Sequence, residues 1–491
     1  MNMRKFAVMF LMLSLLIVTV GCSKNDNKPE SGATESAVNG MEDYGIADLV
    51  EDFSEERNPE DALRVGVGLI SGSDFSDNVA WVRFGDDIVN CFGILRSDGE
   101  IIANEFTEGI EIGDYCSTFS QGYSYVNHRD ISDNTKNSFA IVNVDGEVTA
   151  SSPDDGTGYQ ILAGGDGVYF VRQQILSMTE NEERYGFIDA HGQWLVAPTL
   201  DNPLRYGYNS EEAKHGGELH YYYLGENVFA ALVDDYFDCF AIYNLHTGMS
   251  KSYDNRDYEA HLGDRSEIVL TNYGSDEPFM FSNGLCMVIW RDAICAMNTS
   301  GEIQELIAMP RGYDSSRVVY ANGVFLYGSV DFNETWEMHD GAFYDLAGNK
   351  ILDMSQYNLA VYVGRNGFYE FHNGTAAVEI VGEDGKSYIT HIDTQGNMRY
   401  EPIAISTAAN AIGHSGTNDG TMYIRLMGDR ENSYVLRPDG QISMIHNSIT
   451  IWNGSESSES RFHFSGGYAW CEENSVYISD NGEILYTYLV G

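Results

Sequence analysis

Seven cysteines, twelve histidines and 74 carboxylates are the residues of this 491-residue chain with chemistry to offer. Zinc sites place Cys or His at short fixed spacings. The chain has no Cys-x-x-Cys and no His-x-x-x-His, so no metal and no cofactor is expected. His191 reads as an exposed turn residue. Gly413-His414-Ser415-Gly416 approaches the nucleophile elbow Gly-x-Ser-x-Gly, but Thr417 stands where the last glycine belongs. Ser152-Pro153-Asp154-Asp155-Gly156 and Thr417-Asn418-Asp419-Gly420 lack the alternating acids of a calcium loop. With so many carboxylates, pairs arise by chance and no acid/base pair can be singled out. Diffuse binding of divalent cations stays open. Cys286 and Cys295 could face each other across a hairpin if the chain turns near Trp290-Arg291, which makes a disulfide between them possible. Cys116 has no visible partner.

The balance of 28 basic against 74 acidic residues gives a net charge of −46. Such a surface repels phosphate backbones, so nucleic acid is not expected as a partner. Hydrophobic residues make up 43% and aromatics 12%, the composition of a folding chain. With 51 Gly and only 9 Pro, it suits short strands and tight turns better than long helices.

What positions these residues is a repeat. Tyr185-Gly186-Phe187-Ile188-Asp189-Ala190-His191-Gly192-Gln193-Trp194-Leu195-Val196-Ala197-Pro198 returns in outline along the chain. Aligned on turn glycines, nine units appear, at Gly99, Gly146, Gly192, Gly248, Gly301, Gly348, Gly396, Gly440 and Gly482. Their mean step is about 48 residues, a length typical of repeat architectures. Asp189, Asn143, Asn298, Asp345 and Asp393 stand three residues before the glycine. An Asp or Asn there caps a type I turn, and the glycine takes the left-handed bulge position. The incoming strand reads aromatic, small, aliphatic, as in Phe92-Gly93-Ile94 and Phe139-Ala140-Ile141; the small residue would let another sheet come close. Cys91 and Cys239 precede this aromatic, while Cys295 and Cys471 take small or β-branched places in the repeat, so they read as buried small residues.

A second element precedes each hairpin: Phe119-Ser120-Gln121-Gly122-Tyr123, Phe281-Ser282-Asn283-Gly284-Leu285 and their kin from Phe75, Phe371 and Phe464. The strand after it is apolar on both faces, which requires packing on both sides. The chain here resembles the WG-repeat (KWG-like) bacterial proteins. Their outline is Phe-Ser-x-Gly-Leu-Ala-x-Val, then Trp/Tyr-Gly-x-Ile-Asp-x-x-Gly with a proline beyond. Tyr185 to Asp189 with Gly192 carries the second half and Phe281 to Val288 the first. The family is defined by repeats rather than by a reaction, so the resemblance implies a binding or scaffold role without a named ligand.

The fold expected is all-β, a β-propeller-like ring of about 7–9 short antiparallel sheets. An open β-repeat array is the alternative.

The chain's beginning gives an address. Arg4 and Lys5 precede the uncharged, mainly apolar Phe6–Val20, too short for the ~20 residues that span a bilayer. Gly21-Cys22 closes it, and the whole resembles a bacterial lipoprotein signal, although Thr19 stands where leucine is usual. The resemblance implies cleavage before Cys22 and a diacylglycerol on its sulfur. The organisation expected is a signal peptide over 1–21, a flexible tether over 22–40, a short amphipathic helical segment over 41–61, and a nine-unit domain over 62–491.

These features together suggest an extracytoplasmic, lipid-anchored monomer that touches the membrane only through its N-terminal lipid. It would act as a binding module for an unknown protein or glycan of the cell envelope, and not as an enzyme. The alternative is a glycosidase-like hydrolase with carboxylates about 5–9 Å apart in a central channel. Two successive repeat steps are long, 56 and 53 residues, and their insertions are rich in tyrosine. Tyr206, Tyr208, Tyr221, Tyr222 and Tyr223 are therefore candidate ligand-binding residues. Tyr221–Tyr223 could equally be part of a buried strand.

Overall fold

Two kinds of tight turn build this molecule. A computed structural model describes residues 64–490 except 86–89, 113, 130–136, 177–180, 205–218, 234–238, 255–277, 311–317, 331–336, 361–368, 406–412, 416–419, 425–432, 446–461 and 472–474. Cys22, the tether, the 41–61 segment, Tyr206 and Tyr208 lie outside the described residues.

The first turn is a two-residue hairpin loop whose central residues both have positive φ: Asp77-Asn78, Gln121-Gly122, Asp166-Gly167, Glu226-Asn227, Asn283-Gly284, Asn322-Gly323, Asn373-Gly374 and Gly466-Gly467. Type I′ geometry demands this, and its twist matches that of the strands on either side. These are the turns of the Phe-Ser-x-Gly element. The second is the Asp/Asn-x-x-Gly connection. All nine turn glycines have φ between 68° and 92°. Asp189 Oδ1 accepts from His191 N and Gln193 N, both at 2.9 Å, while Gly192 N donates to Asp189 O at 3.0 Å. Asn143, Asn298, Asp345 and Asp393 repeat the pattern.

Each unit is a small antiparallel sheet. In the third, Gly158–Gly165, Val168–Leu176, Asn181–Asp189 and Trp194–Thr199 pair in sequence order. The middle strands are buried on both faces, as in Leu285–Trp290 and Ala293–Asn298 of the fifth unit. The last strand is largely exposed, as Trp194–Thr199 is. Among the described residues the fold is thus all-β, with nine hairpin units in eight hydrogen-bonded sheets. The sixth and seventh units share one sheet because Asn358–Ala360 pairs with both Glu337–Asp345 and Thr375–Val381. The longest helix among the described residues is Glu105–Glu108, capped by Asn104.

The units close into a propeller-like ring. The first unit's sheet takes in Tyr488–Val490, which runs parallel to Glu100–Ile102, and then Arg64–Gly66 antiparallel beyond it. Both ends of the described chain therefore lie in one sheet. The ninth unit packs on the first: Phe75 stacks near Tyr468 and Tyr477, and the Tyr468 hydroxyl donates to Ser97 O at 2.8 Å. Burying a Tyr edge-on against Phe adds to area burial about 0.5–1.5 kcal/mol.

Two expectations need correction. The small residue of the incoming strand does not admit a neighbouring sheet. A Cβ on Gly186 would meet Val196 O at 2.7 Å and Trp194 at 2.8 Å, both on the outer strand of the same unit. That strand is irregular in register here, and glycine makes room for it. The disulfide is also absent. The fifth unit turns at Arg291-Asp292, with φ of 52° and 57°, so Cys295 lies opposite Val288 and Cys286 opposite Met297. The two cysteines are diagonal neighbours, about 7–8 Å apart in such a ladder, beyond easy bridging. Both are free and buried. Burial pushes the Cys295 thiol up to about 12 and that of Cys286 higher still. Native protein treated with iodoacetamide without reductant should leave both unlabelled, and both should react after unfolding. A pair that stays blocked in unreduced denaturant would restore the bridge.

Candidate functional site

The first strands of the second, third and fourth units' sheets line a cavity of about 1140 Å³. The strands are Tyr115–Cys116, Gly158–Gly165 and Leu219–Tyr223. Residues of other units, among them Ser76, Met280 and Ser465, complete the wall. The volume exceeds the ~300–1,000 Å³ of ordinary ligand pockets.

Tyr221, Tyr222 and Tyr223 all line it. They belong to a half-buried strand and to the cavity wall at once. Tyr221 and Tyr223 pack toward the third unit against Phe170, and Tyr222 toward the fifth. The Tyr223 hydroxyl donates to Asp166 Oδ2 at 2.9 Å. The Tyr221 hydroxyl accepts from Asn202 Nδ2 at 3.0 Å.

Beside them stands a polar cluster on the third sheet. Arg172 Nη2 donates to Gln160 Oε1 at 2.6 Å and Nη1 to Glu183 Oε1 at 3.4 Å. Tyr185 Oη donates to Glu183 Oε2 at 2.6 Å, and Gln174 Nε2 to Glu183 Oε1 at 3.3 Å. Strand pairing sets this up, since Arg172 lies opposite Tyr185 on one side, opposite Gln160 on the other. Phe170 lies under both Tyr185 and Tyr221, with ring centroids 5.9 and 5.5 Å away. Burial, reinforced by Glu183, raises the Tyr185 phenol well above its ordinary value, and burial raises that of Tyr221. Both remain proton donors at any physiological pH.

A second polar group also lines the cavity. Asp114 accepts from Glu111 N at 2.9 Å and Arg129 N at 3.2 Å, and its Oδ2 lies 2.7 Å from His128 Nδ1. Burial, with Asp114 nearby, pushes the adjacent Cys116 thiol up to about 12, so it is no nucleophile. Ser415 lies in a short strand, Gly413–Ser415, that runs parallel to Phe462–Ser465, with no helix following it among the described residues. His191 is exposed in its turn. Among the described residues no three His, Cys, Asp or Glu side chains are grouped to hold a metal ion.

Gln160, Arg172 and Glu183 were missed by sequence reasoning, though a signal existed. Val168–Leu176 and Asn181–Asp189 run nine residues each, against six for Tyr123–His128, and the facing stretches Arg172-Gln173-Gln174 and Glu183-Arg184-Tyr185 are polar.

No family model and no curated protein matches the chain. Among solved structures it is similar to the WD40 domain of SCAP from fission yeast, at 8% identity and TM-score 0.35, covering 86% of this chain and 94% of that one. It is also similar to prolyl oligopeptidase B from Galerina marginata, at 11% identity and TM-score 0.34, over 80% of this chain and 58% of that one. A third is the β-propeller domain of the Trilobed protease from Pyrococcus furiosus, at 10% identity and TM-score 0.26, over 71% and 99%.

Proposed function

We propose that this chain is a lipid-anchored extracytoplasmic binding module whose ligand, a component of the cell envelope, enters the central cavity. The observation that carries the reading is the state of the cavity's acids. Among the described residues, the wall carboxylates Asp114, Asp166 and Glu183 already accept hydrogen bonds from donors of this same chain. A glycosidase needs one carboxyl free to give a proton and another free to attack or to activate water. A binding site needs its polar groups held still, and these hydrogen bonds hold them. The anchor rests on the signal-like start and Gly21-Cys22.

One preparation tests both parts. The full chain, expressed in a bacterium and recovered from its membranes, should yield an N-terminal peptide beginning at Cys22 with the added mass of a diacylglycerol. Immobilised, it should retain envelope material that a Thr118→Trp variant, with a bulky ring at an exposed position of the cavity wall, does not. An unmodified Cys22 overturns the anchor, and equal retention by both proteins overturns the site.

A further inference from the structure

We propose that the cavity takes a neutral oligosaccharide, held by Gln160, Arg172, Tyr185 and Tyr221. The inference rests on the binding reading above and narrows it by elimination and by fit.

Charge comes first. An anionic ligand would enter a protein of net charge −46 against the field of the whole molecule. A cationic one would look for free carboxylates. Glu183 is engaged by Arg172, Gln174 and Tyr185, Asp166 by Ser120 and Tyr223, and Asp114 by two backbone amides and His128. Binding a cation there would mean breaking these bonds.

A peptide usually binds a sheet by adding a strand to an open edge. The inner edge of Gly158–Gly165 is closed by the chain itself. The Asn127 amide reaches across from the second unit, donating to Ile161 O at 2.8 Å and accepting from Ile161 N at 2.9 Å. Tyr159 N donates to Asn137 O at 2.8 Å. A side-chain amide stands where a partner strand would pair.

What the wall leaves unspent suits hydroxyl groups. The Tyr221 hydroxyl accepts from Asn202 and keeps its own proton to donate. Gln160 accepts from Arg172 through its oxygen, and its amide nitrogen has no partner among the described residues. Arg172 Nε is buried without a hydrogen-bond partner among the described residues, so it can donate to a ligand only if the side chain shifts. The Tyr185 oxygen, its proton given to Glu183, keeps lone pairs to accept with. These donors and acceptors flank two aromatic rings that Phe170 holds in place. Sugars present alternating hydroxyls around an apolar ring face, and side chains with an apolar body and a polar tip match both features. The cavity's volume has room for several sugar residues.

Calorimetric titration of the full chain with cellohexaose, maltohexaose and chitohexaose, and separately with hexalysine, tests the proposal. At least one hexasaccharide should bind saturably. Its affinity should fall about tenfold in Tyr221→Phe and in Gln160→Ala, the loss of one good hydrogen bond each, with unchanged melting. Failure of all three sugars, or binding indifferent to both substitutions, overturns the oligosaccharide. If hexalysine binds instead, or if envelope material is still retained by wild type and not by Thr118→Trp, the cavity remains a binding site and only the sugar is lost. If nothing is retained either, both readings fall.

Discussion

Gly301→Ala should destabilise the protein by roughly 3–5 kcal/mol, while Gly284→Ala should cost only about 1. Both glycines have positive φ, 68° and 80°, so both substitutions carry the same left-handed backbone penalty. They differ in space. At Gly284 a new Cβ meets nothing within 4 Å. At Gly301 it would collide with the Tyr253 hydroxyl and lie 2.6 Å from Ile242 Cδ1, both in the preceding unit. The Gly301 carbonyl also accepts from the Tyr253 hydroxyl and from Lys251 Nζ, the latter at 2.5 Å, so a shift of this turn loosens the seam between the fourth and fifth units. Gly192, whose Cβ would stand 3.0 Å from Ala150 Cβ, should fall between the two. Against a total stability of ~5–15 kcal/mol, the Gly301 loss would remove a fifth of it or more. Denaturant titration of the three variants checks the order. Equal midpoints for Gly301→Ala and Gly284→Ala would show that close approach between units is not what the turn glycines serve.

This explains why the turn pattern was readable from the sequence. An Asp or Asn accepting from amides two and four residues on, and a glycine that must be left-handed, are satisfied within five residues. The same holds for the two-residue loops such as Asn283-Gly284. Local chemistry recurs with the repeat and can be counted. Ring closure differs. The pairing of Tyr488–Val490 with Glu100–Ile102 joins segments nearly four hundred residues apart, and neither carries a motif. The inner strands are as quiet. Tyr115–Cys116 is two residues long, and Gly158–Gly165 has little in common with it.

The candidate site was legible only in part. Tyrosine enrichment drew attention to the segment holding Tyr221–Tyr223, which does reach the cavity, though as a strand and not as a recognition loop. No local motif marks Asn127, whose amide substitutes for a strand partner in the next unit. Nor does one pair Arg172 with Gln160 and Glu183, because strand register decides that pairing. The disulfide failed for a related reason. Placing the turn at Arg291-Asp292 instead of one residue earlier moves Cys295 two positions along the ladder from Cys286.

Acidification should weaken the protein through His391. This imidazole is fully buried in Ser387–Asp393 of the seventh unit. Its Nε2 lies 2.8 Å from Gly420 O, at the start of the eighth unit, and its Nδ1 lies 2.6 Å from the Tyr400 hydroxyl. A carbonyl can only accept, so Nε2 carries the hydrogen. In the neutral ring Nδ1 then accepts from Tyr400. Burial lowers the histidine from 6.5 to about 4; the Gly420 carbonyl and Asp439 oppose the shift, and Arg399 adds to it. The sign follows from proton counting. Between about pH 4 and 6.5 the unfolded chain holds a proton here that the folded chain does not, so stability falls as pH drops through this window. It is present in full above 6.5, and below about 4 the loss is complete. At 1.36 kcal/mol per pH unit the loss comes to roughly 3 kcal/mol. Carboxylates titrate in the same range, so the contribution is read as a difference. Denaturant midpoints of wild type and His391→Gln, followed from pH 8 to pH 4, should converge as pH falls, because the variant lacks the titrating ring. Parallel curves would mean that His391 takes up its proton as readily in the folded protein as in the unfolded one, and that the seam between the seventh and eighth units does not depend on a neutral imidazole.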